Sequence, residues 1–248
     1  MQTSKRRLLA ALAVAPAAWM ARPVFSQAAP RSATKARTVG NPADQNSPAV
    51  AGIAEARFAA DQINAFQAAL GTAPLLAERP WLALSTGGEN GAFGAGLLTG
   101  WTEAGTRPNF AVVTGVSTGV LIAPFAFLGP RWDRVLREAY TAITAADVFE
   151  IGATETSLLD TWPLTKLIAR YVTPDLLAAV AAEHAAGRRL FVLTTNLDTG
   201  RPIGWNLGAI AAGGDARALA LFRQVLLASG SIPGLFPPVA IDVAFGGR

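Results

Sequence analysis

At 248 residues, 51% hydrophobic and only 15% charged, the chain is long enough for one large core and too poor in charge for a disordered or nucleic-acid-binding protein. The net charge of +4 belongs to the start of the chain: Lys5, Arg6, Arg7 and Arg22 are four of its 21 basic residues, and the other 17 face 17 acidic ones. No Cys and a single His exclude disulfides, thiolate metal sites, a lipidated cysteine and a His-based metal cluster.

Residues 1–28 have the build of an export signal. Lys5-Arg6-Arg7 form a charged start, residues 8–20 an apolar run interrupted by Pro16, and Ser26-Gln27-Ala28 a small-residue cleavage site. The run is shorter than the about 20 residues a bilayer needs. The expectation is export, with a periplasmic or secreted product after cleavage near Ala28. An uncleaved amphipathic anchor is the alternative, and Arg6-Arg7 before Leu8-Leu9 also admits a twin-arginine route. Residues 29–48, rich in Pro, Ser, Thr, Asn and Lys without periodicity, read as a flexible tether. Residues 49–248 then form the one folded domain.

Within that domain residues 49–70 read as a helix, with Ile53, Ala56, Ala60, Ile63 and Phe66 at helical spacing and Gly71 as its stop. After Pro80 the pattern alternates. Residues 81–85 read as a short buried strand, then a Gly-rich loop and a helix over about 91–104. Residues 110–113 form a second strand that runs into Gly115-Val116-Ser117-Thr118-Gly119 and an apolar helix, which Pro124 should kink. Residues 131–143 form an amphipathic helix. Thr173-Pro174-Asp175 starts another, with Thr173 as cap. Residues 190–195 are a third buried strand, turned back by Asp198-Thr199-Gly200 into a hairpin partner over 202–206. Residues 215–228 close the series as a helix with Leu219, Phe222 and Leu226 on one face. Strands separated by helices imply an α/β fold with a mainly parallel central sheet.

Two segments carry chemistry. Gly115-Val116-Ser117-Thr118-Gly119 has the G-x-S-x-G form between a strand and a helix. There it makes a nucleophile elbow: the Ser stands at the apex of a sharp turn and the glycines remove Cβ atoms that would clash. The bland alternative is a tight strand–helix turn with a solvated Ser. Thr86-Gly87-Gly88-Glu89-Asn90-Gly91 follows the first strand, and consecutive glycines let backbone amides converge on an anion, as an oxyanion hole requires. A phosphate loop fails for want of a following Gly-Lys-Ser/Thr, and the dinucleotide pattern breaks at Thr86.

Residues 82–98, with Ser85-Thr86-Gly87-Gly88-Glu89-Asn90-Gly91, resemble the strand, glycine loop and helix that open patatin-like phospholipase domains. Val112-Val113-Thr114-Gly115-Val116-Ser117-Thr118-Gly119 resembles their nucleophile strand and elbow. Ala228-Ser229-Gly230-Ser231-Ile232-Pro233-Gly234-Leu235-Phe236-Pro237-Pro238 resembles their Ala-Ser…Ile-Pro…Phe-Pro-Pro segment, and the three stand in the family's order. The resemblance implies a three-layer α/β/α fold and a Ser–Asp dyad acting on acyl esters of phospholipids or related lipids. It implies transient contact with a membrane surface, no cofactor and no metal. Carried over, Ser117 is the nucleophile, Gly115 and Gly119 shape its elbow, and Gly87, Gly88, Asn90 and Gly91 belong to the oxyanion loop.

The chain departs from the family at three points. Thr86 replaces the loop's first Gly, and Asn90 stands where Arg or Lys is usual. The Asp-Gly-Gly/Ala motif that supplies the family's base does not occur, and the chain runs Val239-Ala240-Ile241-Asp242-Val243-Ala244-Phe245-Gly246-Gly247-Arg248. The expectation is a domain truncated at its C-terminus. Asp242 as substitute base, a Ser-His-Asp esterase using His184, and a catalytically inactive lipid-binding remnant are the competing readings. Asp198 reads as a turn residue. Phe125, Phe127 and Leu128 read as core.

Overall fold

Short apolar strands separated by Ala-rich helices bury both strand surfaces when helices pack onto a sheet. The computed structural model has that architecture over residues 50, 52–71, 78–142, 144–151 and 157–243, which are the residues it describes. They fall in one compact unit spanning residues 39–248. The leader and the tether, like residues 244–248, lie outside the described residues.

In chain order the elements are β1 (Arg57–Ala59), α1 (Ile63–Leu70), β2 (Trp81–Leu84), α2 (Gly91–Glu103), β3 (Val112–Val116), α3 (Thr118–Leu128) and α4 (Asp133–Thr141). A two-stranded ribbon of β4 (Glu150–Ile151) and β5 (Leu159–Asp160) follows. Then come α5 (Trp162–Tyr171), α6 (Pro174–Ala185), β6 (Arg189–Asn196), β7 (Arg201–Asn206), α7 (Leu207–Ala212) and α8 (Ala216–Gly230). The main sheet has the order β1-β7-β6-β3-β2.

Strands β2, β3 and β6 are parallel, so their C-terminal ends share one edge. β7 returns antiparallel through the hairpin at residues 197–200, and β1 adds antiparallel outside it. The sheet is therefore mixed, with a parallel centre. Its main core lies on the face covered by α3, α6, α7 and α8, where Phe127, Leu176, Ile210 and Phe222 are fully buried. On the other face α1 packs Phe66 against Phe58 and Phe191, the latter pair edge-to-face at 5.3 Å.

Local chemistry explains the helix starts. Thr173 Oγ1 accepts from the Leu176 N–H at 3.3 Å, and Asp215 Oδ1 accepts from Ala218 N–H at 2.8 Å. Helix α3 runs through Pro124 as one element, and Phe125 and Phe127 on it are core.

Two expectations need correction. Residues 49–70 are not one helix: Ala56 O accepts from Asn206 N–H, and residues 57–59 pair with β7, leaving the helix only residues 63–70. The cause is tertiary, since the sheet offers Ala56 to Ala59 a ladder that the Ala-rich helical spacing cannot match. Residues 81–84 form an edge strand rather than a buried one, with Trp81 52% exposed.

Candidate active site

Strand β3 ends at Val116 and α3 starts at Thr118, so Ser117 alone makes the turn, with φ 54° and ψ −125°. A side chain rarely adopts that backbone, which costs on the order of 1–3 kcal/mol and persists only where neighbours enforce it. The neighbours here are glycines. A Cβ on Gly119 would stand 2.5 Å from Leu84 O and 2.8 Å from Ser85 O; one on Gly115 would stand 2.9 Å from Gly119 O. Both clashes are with backbone: a side chain at Gly119 would push the turn away from β2, and one at Gly115 would push β3 and the start of α3 apart.

The glycine loop lies beside this turn. After β2 the chain makes a 3-10 turn at Gly88–Asn90, with Gly88 at φ 52°, and then enters α2. Asn90 N–H donates to Gly87 O at 3.0 Å, and Gly91 N–H turns inward to Gly88 O. The amides of Gly87, Gly88 and Thr118 have no intrachain acceptor among the described residues. Thr86, Gly87, Asn90, Gly91, Phe93, Thr118 and Gly119 border one cavity of about 260 Å³, with Leu84 and Ile122 on its apolar side. Unpaired amides at a helix start carry partial positive charge, so this cavity favours a developing oxyanion.

Gly91 lets loop and elbow approach: a Cβ there would collide with Thr118 Oγ1 and stand 3.3 Å from Tyr140 Cε1. Tyr140 lies beneath, donating weakly to Thr118 O at 3.5 Å. Burial pushes its phenol up to about 12, so it stays neutral. Thr86 and Asn90 are both exposed, so neither departure from the glycine-loop pattern is crowded.

The other candidates stand elsewhere. His184 ends α6 and precedes β6, at the N-terminal edge of the sheet. Ser117 follows β3 at the opposite edge, and the register Val112↔Arg189 to Val116↔Leu193 separates those edges by about 13 Å of strand. His184 therefore does not serve Ser117. Asp198 sits in the β6–β7 turn, its N–H donating to Asn196 Oδ1 at 2.9 Å. Asp242 is exposed, while Ile241 and Val243 on either side pack on the core. No described side chain accepts a hydrogen bond from Ser117 Oγ.

Two residues at the site carry no role in the sequence reading. Tyr140 is one. The other is Ser229, whose Oγ accepts from Ser117 N–H at 3.0 Å and donates to Leu193 O at 2.6 Å. It belongs to the segment 228–238, but nothing local ties it to a residue 112 positions away.

The patatin-like phospholipase family model matches residues 82–245, more than half of the chain. This chain belongs to the patatin-like phospholipase family. No curated protein matches it. The matched span of this patatin-like phospholipase starts in β2 and takes in the glycine loop, the elbow and Ser229, while β1 and α1 precede it. Membership makes the chain a lipid acyl hydrolase by family, acting on lipid esters.

Proposed function

We propose that Ser117 is the nucleophile that takes an acyl group from a phospholipid or related lipid ester. The observation that supports this reading is the Ser117 backbone, at φ 54° between β3 and α3, next in sequence to Thr118 and Gly119, which with Gly87 border the cavity. Attack of Ser117 Oγ on the ester carbonyl forms the tetrahedral intermediate, whose oxyanion takes hydrogen bonds from the amides of Gly87, Gly88 and Thr118. Collapse expels the alcohol and leaves the acyl group on Ser117; water then releases the fatty acid. Asn90, on the cavity rim, offers an amide donor where the family usually has a cation.

The base is the finer part of the proposal. An Asp of an Asp-Gly-Gly/Ala segment accepts the Ser117 proton and returns it to the departing alcohol, and residues 1–248 do not contain that segment. The acyl chain runs from the cavity over Phe93, which is 76% exposed, toward Leu97 on the same α2 face. This apolar rim suits transient contact with a membrane surface. Export by the leader would place the activity outside the cytoplasm.

The test is fatty-acid release from phosphatidylcholine vesicles at increasing formate, a small carboxylate that substitutes for an absent base. Release should rise with formate and vanish in Ser117→Ala. Equal release by the variant would remove Ser117 from the mechanism.

A further inference from the structure

The parallel ladder between β3 and β6 has a fixed phase. Arg189 N–H donates to Ala111 O at 3.0 Å, and Val112 stands opposite Arg189. In that phase the N–H groups of Val113, Gly115 and Ser117 face the carbonyls of Arg189, Phe191 and Leu193 in turn. The last rung would therefore join Ser117 N–H directly to Leu193 O.

The structure breaks that rung with a hydroxyl. Ser229 Oγ accepts from Ser117 N–H at 3.0 Å and donates its one hydrogen to Leu193 O at 2.6 Å. The two backbone groups are thus satisfied without meeting, and the chain is wedged off β6 at Ser117, one residue past the end of β3. Ser229 sits near the C-terminal end of α8, a helix anchored in the core by Phe222, Val225 and Leu226. A hydroxyl on a rigid helix is well placed to hold the wedge open.

We propose that Ser229 is a positioning residue for the nucleophile: its hydroxyl splits the final β3–β6 rung and holds Ser117 in its strained backbone conformation. The inference rests on the reading of Ser117 as nucleophile. It also assigns the donors. The Ser117 amide is committed to Ser229, so the oxyanion depends on the amides of Gly87, Gly88 and Thr118. Without the hydroxyl the rung can close directly, which draws Ser117 back toward the sheet and flattens the elbow. Ser229→Thr keeps the bridging oxygen; Ser229→Ala does not.

The experiment is the rate of fluorophosphonate modification of Ser117, resolved into probe affinity and maximal inactivation rate, for wild type, Ser229→Ala and Ser229→Thr. For Ser229→Ala the maximal rate should fall at least tenfold with probe affinity unchanged within twofold, and Ser229→Thr should recover to within threefold of wild type. A loss in affinity and rate together, unrelieved in Ser229→Thr, would show general loosening and overturn the proposal. So would a wild-type rate in Ser229→Ala. A wild type unlabelled at Ser117 instead overturns the nucleophile reading, and this inference with it. Should Ser229→Ala not fold, Ser229→Cys replaces it: its weaker, longer bonds should slow labelling, and a wild-type rate there counts against the wedge.

Discussion

Gly119 passes Leu84 so closely that a Cβ on it would stand 2.5 Å from the Leu84 carbonyl oxygen. The contact fixes the elbow against the edge strand that leads into the glycine loop. The proposed nucleophile and the proposed oxyanion donors are thereby placed by one backbone-to-backbone approach. Gly119→Ala must push the turn away from β2, and overpacking of this kind costs about 3 kcal/mol. Thermal or urea unfolding should show that loss, with Ser117 labelling reduced further than the stability change alone explains.

Ser117 should be a site where function opposes stability. Its φ of 54° suits glycine, and relief of such strain is worth about 1 kcal/mol or more. Ser117→Gly is expected to raise the unfolding midpoint while abolishing acyl transfer. A lower midpoint would mean that the hydroxyl itself stabilises the turn.

Arg107 and Asp133 form a buried pair at 2.7 Å, with Arg107 also donating to Ala126 O at 3.1 Å. The Arg107 side chain is 1% exposed. Removing its partner leaves a charge in the interior, so Asp133→Ala should cost about 3–5 kcal/mol. Replacing both by apolar residues, Arg107→Met with Asp133→Leu, should cost less than the single change. Urea denaturation of the single and the double variant against wild type measures both.

His184 should make stability depend on pH. Burial, helped by the nearby Arg189 guanidinium, holds its imidazole below the ordinary value, against opposition from Glu55. The unfolded chain therefore binds the proton more readily, near its usual pKa of about 6.5. The stabilisation is complete above that value and is lost as pH falls toward the lower folded value. Denaturation midpoints between pH 7 and pH 5 should drop more in wild type than in His184→Gln. The same variant should leave Ser117 labelling intact, because His184 lies at the opposite sheet edge.

The legible parts of this protein were those encoded locally. The G-x-S-x-G turn, the Thr173 cap and the Asp198-Thr199-Gly200 hairpin each depend on a few adjacent residues. The family followed from three such segments in order. What escaped was non-local. Residues 57–59 look helical until β7 offers them a ladder, and Trp81 looks buried until its strand proves to be the sheet edge. Helix α7 is only six residues long and is capped by the Asn206 side chain, which accepts from Ala209 N–H at 3.1 Å. Its Gly208 resembles a turn signal, yet it makes room for the His184 ring. Ser229 was visible as part of a motif, but its role depends on the phase of a ladder between two other segments.

Fluorophosphonate labelling of the folded 248-residue chain, mapped by intact mass and peptide sequencing with Ser117→Ala alongside, decides whether Ser117 is the nucleophile. A nucleophile elbow with its amide cavity retains a rate advantage of roughly a thousandfold over water even where no base assists it. The expected result is one adduct, on Ser117, formed slowly but ahead of every other serine and absent from the variant. A folded chain with no adduct on Ser117, or with adducts on surface serines at the same rate, would contradict it.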